Sequence, residues 1–152
     1  MRHCEAWNGS YLYAELTPTQ RVSRLTLETF PARETPRNIP FFGFLSLGGW
    51  VDHYLKHSLF ECYQDYLEVA WTPFQRKVYE QLSLVKWGQT LTYQELAIRA
   101  GHPGAARAVG TVMARNPFPL VMPCHRILPS SGGIGQYAFG SAMKQTLLDR
   151  ES

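Results

Sequence analysis

Two short strings fix where helices must begin. In Thr72-Pro73-Phe74-Gln75 a threonine able to cap precedes a proline suited to the first helical position. A glutamine at the third position can return a hydrogen bond to the cap's amide. Thr92-Tyr93-Gln94-Glu95 repeats the device. Phe74, Val78 and Leu82 follow the first cap at helical spacing, and that helix is expected to run until Gly88 stops it. Leu96, Ala97 and Ala100 follow the second, which Gly101-His102-Pro103-Gly104 breaks. Residues 105–115 then form a small-residue helix ending at Asn116-Pro117. Two short helices joined by a four-residue, glycine-containing turn predict a helix-turn-helix over residues 92–115.

The second of these helices is poor in side chains that reach base edges. Ala105, Ala106, Ala108, Gly110 and Ala114 leave Arg107 almost alone. Small residues permit the close backbone approach that a narrow minor groove requires. The alternative is that the alanines simply pack inside the protein. Net charge is only +3, but its distribution is uneven. Residues 96–148 hold Arg99, Arg107, Arg115, Arg126 and Lys144 with no Asp or Glu, against nine basic and ten acidic residues over 1–95. Such asymmetry suggests a polyanion-facing surface in the C-terminal part, with a mildly basic solvated face as the plainer reading.

The 152 residues suffice for one domain or two small lobes, and 45% hydrophobic content with 18% charge supports a buried core rather than disorder. The lobe boundary belongs near Trp71, giving an N-terminal lobe over 1–70 and a C-terminal lobe over 71–152. The N-terminal third reads as β. Residues 10–16 are aromatic-rich, Thr17-Pro18-Thr19-Gln20 is a turn, and residues 22–30 alternate, with Leu25, Leu27 and Thr29 on one face. Residues 31–40 read as an exposed loop, Trp50, Tyr54 and Leu55 as a helix ending near His57, and residues 66–70 as a short strand. No apolar run approaches the roughly 20 residues of a membrane span. Membrane insertion and secretion are therefore not expected, and a cytoplasmic location is. Three cysteines, Cys4, Cys62 and Cys124, disfavour a disulfide scaffold and fit a reducing compartment. His3, Cys4, His53, His57 and Cys62 lack metal-ligand spacing, so no metal or other cofactor is expected.

Beyond the second helix lies an apolar, strand-like run over residues 120–128, interrupted by Pro123-Cys124-His125-Arg126. A thiol attacks as the thiolate, which cationic or hydrogen-bonding neighbours favour. On a regular strand, adjacent side chains point to opposite faces. His125 would then need a bridging water, or a kink at Pro123, to act on Cys124. A lone cysteine is otherwise a small buried hydrophobe.

Pro123-Cys124-His125-Arg126, taken with residues 72–78, residues 92–97, Ala106-Arg107-Ala108-Val109-Gly110 and Asn116-Pro117, resembles the O6-alkylguanine-DNA alkyltransferases in order and spacing. The resemblance is strong from Thr72 to Glu151 and weak over the first 70 residues. It implies an α+β fold. A ribonuclease H-like N-terminal lobe with a small antiparallel sheet and helix would precede a mostly helical, winged helix-turn-helix-like lobe carrying the site. It also implies repair by irreversible, single-turnover transfer of an alkyl group from O6-alkylguanine, and O4-alkylthymine, to the protein itself. The partner implied is double-stranded DNA bound through the minor groove by a monomer. Some members of the family bind structural zinc in the N-terminal lobe.

Carried over position by position, the resemblance makes Cys124 the alkyl acceptor, His125 the base acting through a water, and Glu151 the group that orients it. Asn116 becomes the hinge between recognition helix and active-site strand. Tyr93 hydrogen-bonds the guanine and helps rotate the nucleotide, and Arg107 fills the gap in the stack. Gln75, Gln94, His102 and Ser130 contact the phosphate backbone, with Ala106 and Gly110 at the same interface. Met113, Pro119, Ile134, Tyr137 and Ala138 line the base pocket. Gln136 and Ala138 depart from residues common in the family, which leaves the width of the pocket open. Two other function classes compete. A non-catalytic alkyltransferase-like lesion binder would usually carry tryptophan where Cys124 stands, and a helix-turn-helix regulator would need polar, base-reading residues over 105–115.

Overall fold

The computed structural model of the chain describes residues 2–7, 10–18, 22–28 and 70–152. The loop expected over 31–40, the helix near Trp50 and the strand over 66–69 lie outside those residues, as do Thr29, His53, His57 and Cys62. The fold is α+β. The chain divides into two compact units, one of Met1–Val69 with Pro117–Val121 and one of Ala70–Asn116 with Met122–Ser152.

The described part of the first unit is a three-stranded antiparallel sheet of β1 (Arg2–Trp7), β2 (Ser10–Leu16) and β3 (Val22–Glu28), in the order β1-β2-β3. Arg2 pairs with Glu15 and Trp7 with Ser10, while Ala14 pairs with Leu25. Leu25 and Leu27 are buried, as the alternation requires. Tyr13 and Ala14 are both buried although they point to opposite faces, so the central strand is covered on each side. The outer edge of β3 is also used, because the Leu25 amide donates to the Pro117 carbonyl at 2.7 Å. Phe118, Leu120 and Val121 are fully buried, and Leu120 holds φ 75°. That conformation costs a leucine about 1–3 kcal/mol and persists only where the surroundings enforce it.

In the second unit the two caps form as their chemistry dictates. For α1 (Pro73–Ser83), Thr72 Oγ1 accepts from the Gln75 amide at 3.2 Å while the Thr72 amide donates to Gln75 Oε1 at 2.9 Å. For α2 (Tyr93–Arg99), Thr92 and Glu95 make the same reciprocal pair at 3.1 and 2.7 Å. Val78, Tyr79 and Leu82 bury one face of α1, and Leu96 and Ala97 bury one face of α2. Gly101 and Gly104, at φ 78° and 88°, supply the left-handed turn into α3 (Ala106–Ala114).

The stop of α1 is a correction. The helix ends at Ser83 and not at Gly88, because the Ser83 hydroxyl bonds the Glu80 carbonyl at 2.7 Å and the Val85 carbonyl is drawn to Arg126 at 2.7 Å. Gly88 has a different task. A Cβ there would sit 2.9 Å from the Glu151 carbonyl, so glycine permits the C-terminus to pass close by.

The strand-like run over 120–128 is interrupted, and of the two arrangements the sequence left open the structure has the kink at Pro123. The Cys124 amide bonds the Met122 carbonyl at 2.7 Å across Pro123, whose φ of -77° and ψ of 61° make an inverse γ-turn. A single 3₁₀ turn, Cys124–Arg126, follows. Only β5 (Ile127–Leu128) is extended, pairing in parallel with β4 (Leu91–Thr92). The last helix, α4 (Ser141–Arg150), then presents Lys144 and Leu147 to the interior.

Candidate active site

The kink at Pro123 decides the geometry. It replaces strand alternation with a 3₁₀ turn that buries Cys124, His125 and Arg126 together. Asn116, two residues past α3, donates from Nδ2 to the Met122 carbonyl at 2.8 Å and to Cys124 Sγ at 3.0 Å. One amide thus ties the end of α3 to the turn and to the sulfur. His125 Nε2 lies 2.9 Å from Glu151 Oε1, and both side chains are buried. Imidazole and carboxylate are thus paired, and the thiol is the neighbouring residue of the same turn, while His125 Nδ1 has no hydrogen-bond partner among the described residues.

The thiol opens on a cavity of about 550 Å³. Of the residues expected at the site, Tyr93, Arg107, Gly110, Met113, Cys124, Tyr137 and Ala138 line it. Thr111, Ala114 and Gln136 complete the lining. Pro119 is buried and Ile134 half-buried, and neither is a lining residue. Gln94 and Ser130 are exposed, Ala106 is half-buried, and Gln75 is engaged in its cap. The half-buried His102 packs edge-on against Phe74, ring centroids 5.0 Å apart.

The small residues of α3 are not core. Val109, Val112 and Met113 do the packing, whereas Arg107, Ala108, Thr111 and Ala114 are exposed and Gly110 is half-buried. A Cβ on Gly110 would meet nothing within 4 Å. Internal packing therefore does not explain the glycine, and the outer surface of α3 is smooth with one cationic arm.

Burial keeps the thiol and the imidazole neutral at rest. Burial pushes the Cys124 thiol up, against the opposing Asn116 hydrogen bond, the Lys144 charge and Tyr137. Burial holds His125 below its ordinary value, reinforced by the charges of Arg126 and Lys144 and opposed by Glu151. Burial alone would raise Glu151, but hydrogen bonds from His125 and Arg126 outweigh it and hold the carboxyl at about 2. Burial also raises Tyr93 and Tyr137, so both hydroxyls remain protonated donors. The Tyr137 hydroxyl is buried and interacts with the thiol without completing a hydrogen bond of good geometry. An ionised carboxylate accepts only, so His125 carries its proton on Nε2 and its lone pair on Nδ1.

Two contributors escaped the sequence reading. Lys144, counted there only as a charge, is fully buried, donates to the Ile127 carbonyl at 2.6 Å and sits 6.0 Å from the Tyr93 ring centroid. Arg126, noted there as a charge and within its motif, is buried against Glu151. The available signal was a cation inside each apolar stretch, which marks a paired charge when the stretch is core. Among the described residues no cluster of His, Cys, Asp or Glu could hold a metal ion, and no helix is long and apolar enough to cross a membrane.

Fold and site together define an α+β protein whose helix-turn-helix borders a cavity lined by a buried thiol, with a buried imidazole–carboxylate pair beginning at the next residue of the same turn. The chain belongs to the 6-O-methylguanine DNA methyltransferase family, whose DNA-binding-domain model matches residues 73–152. Over 79 residues it is 49% identical to a human methylated-DNA–protein-cysteine methyltransferase, covering 51% of this chain and 38% of that one. A Salmonella typhimurium protein of the same name is 45% identical over 89 residues, covering 57% of this chain and 52% of its own. The matches thus span about half or less of these relatives' length. Solved structures are similar over more of the chain. A Mycobacterium tuberculosis OGT in complex with DNA has a TM-score of 0.70 at 27% identity, covering 99% of this chain and 91% of that chain. O6-methylguanine-DNA methyltransferase from Pyrococcus kodakaraensis gives 0.72 at 27% identity, covering 100% and 99%.

The buried pair makes stability depend on pH in a stated direction. His125 is depressed when folded, so unfolding releases a group that binds protons more readily, and stability falls as pH drops below the ordinary histidine range. Glu151, held at about 2, contributes stability that is present above the ordinary carboxylate value and lost as pH falls toward about 2. Thermal melts from about pH 7 to about pH 2.5 should show both losses. Glu151→Gln should remove the second loss while lowering stability at neutral pH. An acid limb unchanged in that variant would contradict the assignment.

Proposed function

We propose that the protein repairs DNA by direct reversal, transferring an alkyl group from O6-alkylguanine, and from O4-alkylthymine, to its own Cys124 once per chain. One observation carries this reading: Cys124 and the α3 residues Arg107, Gly110 and Met113 line the same cavity. The relatives' names state methyl transfer to a protein cysteine for those proteins, and the M. tuberculosis neighbour was solved with DNA. The smooth face of α3 suits the minor groove of a duplex, approached by a monomer. Phosphates are met by Gln75, Gln94, His102 and Ser130 around it. A reducing, cytoplasmic setting keeps the thiol available.

The chemistry follows from the site. Guanine O6 faces the interior of the duplex, so the nucleotide is extruded into the cavity at a cost of roughly a few kcal/mol. Arg107, exposed beside the cavity, fills the vacated stack. His125 takes the thiol proton through a bridging water, and Sγ bonds the alkyl carbon as the carbon–O6 bond breaks. The electron pair stays on guanine, which accepts a proton delivered by the Tyr93 hydroxyl and leaves neutral, while the imidazolium proton restores the tyrosine. The thioether that remains ends the protein's single turnover. A lesion binder that only flips bases has no need of a thiol backed by imidazole and carboxylate, and a sequence-reading regulator needs polar side chains that α3 lacks.

Cys124→Ser should abolish transfer of labelled alkyl from duplex to protein yet retain duplex binding, because phosphate contacts supply most of the affinity. Arg107→Ala should slow transfer from duplex far more than from free O6-alkylguanine, which has no stack to refill. Equal fractional losses on the two substrates would assign Arg107 to the pocket instead. Gly110→Ala should stabilise the free protein by up to about 1 kcal/mol while weakening duplex binding. Unchanged binding would mean that α3 does not approach the backbone closely.

A further inference from the structure

The proposed reaction leaves one buried guanidinium without a task. Arg126 is 1% exposed, next in the chain to His125, and three of its hydrogen bonds go to acceptors among the described residues. Nε donates to Glu151 Oε2 at 2.8 Å, Nη2 to Glu151 Oε1 at 2.9 Å, and Nη1 to the Val85 carbonyl at 2.7 Å. Glu151 Oε1 is the same oxygen that meets His125 Nε2 at 2.9 Å. The two-point grip is the geometry in which arginine and carboxylate match best. Its anchor on Val85 ties the grip to the segment following α1.

We infer that Arg126 is a positioning residue that holds Glu151 as an ionised acceptor for His125 Nε2–H, leaving a neutral imidazole with its lone pair on Nδ1. A buried carboxylate with histidine as its sole partner would draw a proton onto the ring and convert the base into its inactive form. With the guanidinium across both oxygens the carboxylate is already neutralised pairwise. It then orients the ring without strengthening the ring's hold on a second proton. Among the described residues, the other charged or titratable groups around His125 are Lys144 and Glu151 from α4 and its end, with Cys124 and Arg126 on its own turn. Lys144 opposes imidazolium formation too, but it bonds the Ile127 carbonyl and does not touch Glu151 among its hydrogen bonds. Among the described charged residues, Arg126 is the one that acts on both members of the pair.

The role in alkyl transfer rests on the function proposed above, whereas the effect on His125 does not, and the experiment separates the two. NMR of ¹⁵N-labelled histidine in the wild-type protein should show His125 as the neutral Nε2–H tautomer; an Nδ1–H tautomer would overturn the inference without any variant. In Arg126→Gln, His125 should titrate about one pH unit higher, and the acid limb of single-turnover transfer should move with it, a loss of about tenfold on the limb. In Arg126→Lys the charge remains, so the titration should stay near that of wild type while the plateau rate falls several-fold. An ammonium cannot span both oxygens and the Val85 carbonyl. A slowing in Arg126→Gln that is equal at every pH, with His125 titrating as in wild type, would reduce Arg126 to a structural residue. If Arg126→Gln does not fold, a wild-type plateau in Arg126→Lys overturns the inference. Transfer absent from the wild-type protein, with the His125 titration shifted as expected, would retire the alkyl-transfer reading and leave the role of Arg126 standing.

Discussion

The carboxylate of Glu151, next to last in the chain, is the point to which the reactive turn is fastened. It receives His125, receives Arg126 twice, and lies 3.4 Å from the Gly88 amide. Around it meet the end of α4, the 3₁₀ turn of Cys124–Arg126 and the segment after α1. Each of these positions has a physical reason to be what it is. Gly88 has no side chain because the C-terminal backbone passes there, α1 ends early because Val85 must turn its carbonyl to Arg126, and Pro123 breaks the strand so that three adjacent side chains face inward. Replacing one member of a buried ionic cluster leaves the others unpaired, at a cost of about 3–5 kcal/mol. The reactive geometry and the stability of this unit therefore rest on the same atoms.

The second constraint is burial without early ionisation. Cys124 is 5% exposed and its thiol is held neutral, with Asn116 and Lys144 nearby to stabilise charge when it develops. A thiolate formed in advance would be open to unspecific alkylation, whereas in the proposed reaction the neutral thiol ionises only as the alkyl carbon is attacked. In the proposed reaction, selectivity comes from what can enter the cavity. The smooth outer face of α3 controls approach, and the protonated Tyr93 and Tyr137 supply donors inside.

Local rules were readable and distant pairings were not. Both capping boxes, the glycine turn, the extent of β2 and the start of β3 follow from residues within a few positions of one another. Strand β1 escaped because Arg2–Trp7 mixes charge, thiol and aromatic without alternation and depends on pairing with β2. The run over 120–128 reads as strand-like because its residues are apolar and β-prone, and the torsion at Pro123 decides between a regular strand and the kink that the proline also allowed. The burial of Arg126 and Lys144 depends on the carbonyls of Val85 and Ile127, one of them 41 residues away in the chain. The excursion of Pro117–Val121 into the first unit likewise depends on Leu25, which no local pattern announces. The identities of the reactive residues came from motif resemblance, and the geometry adds how they are held.

The central claim is that Cys124 is consumed as an alkyl acceptor. Its most direct measure is the intact mass of the protein after incubation with an excess of O6-methylguanine duplex, followed by mapping of the modified peptide. The account predicts one added methyl per chain, confined to the peptide containing Cys124, with the remaining lesions untouched however long the reaction runs. Continued repair beyond one equivalent, or a methyl on Cys4 or Cys62, would contradict it.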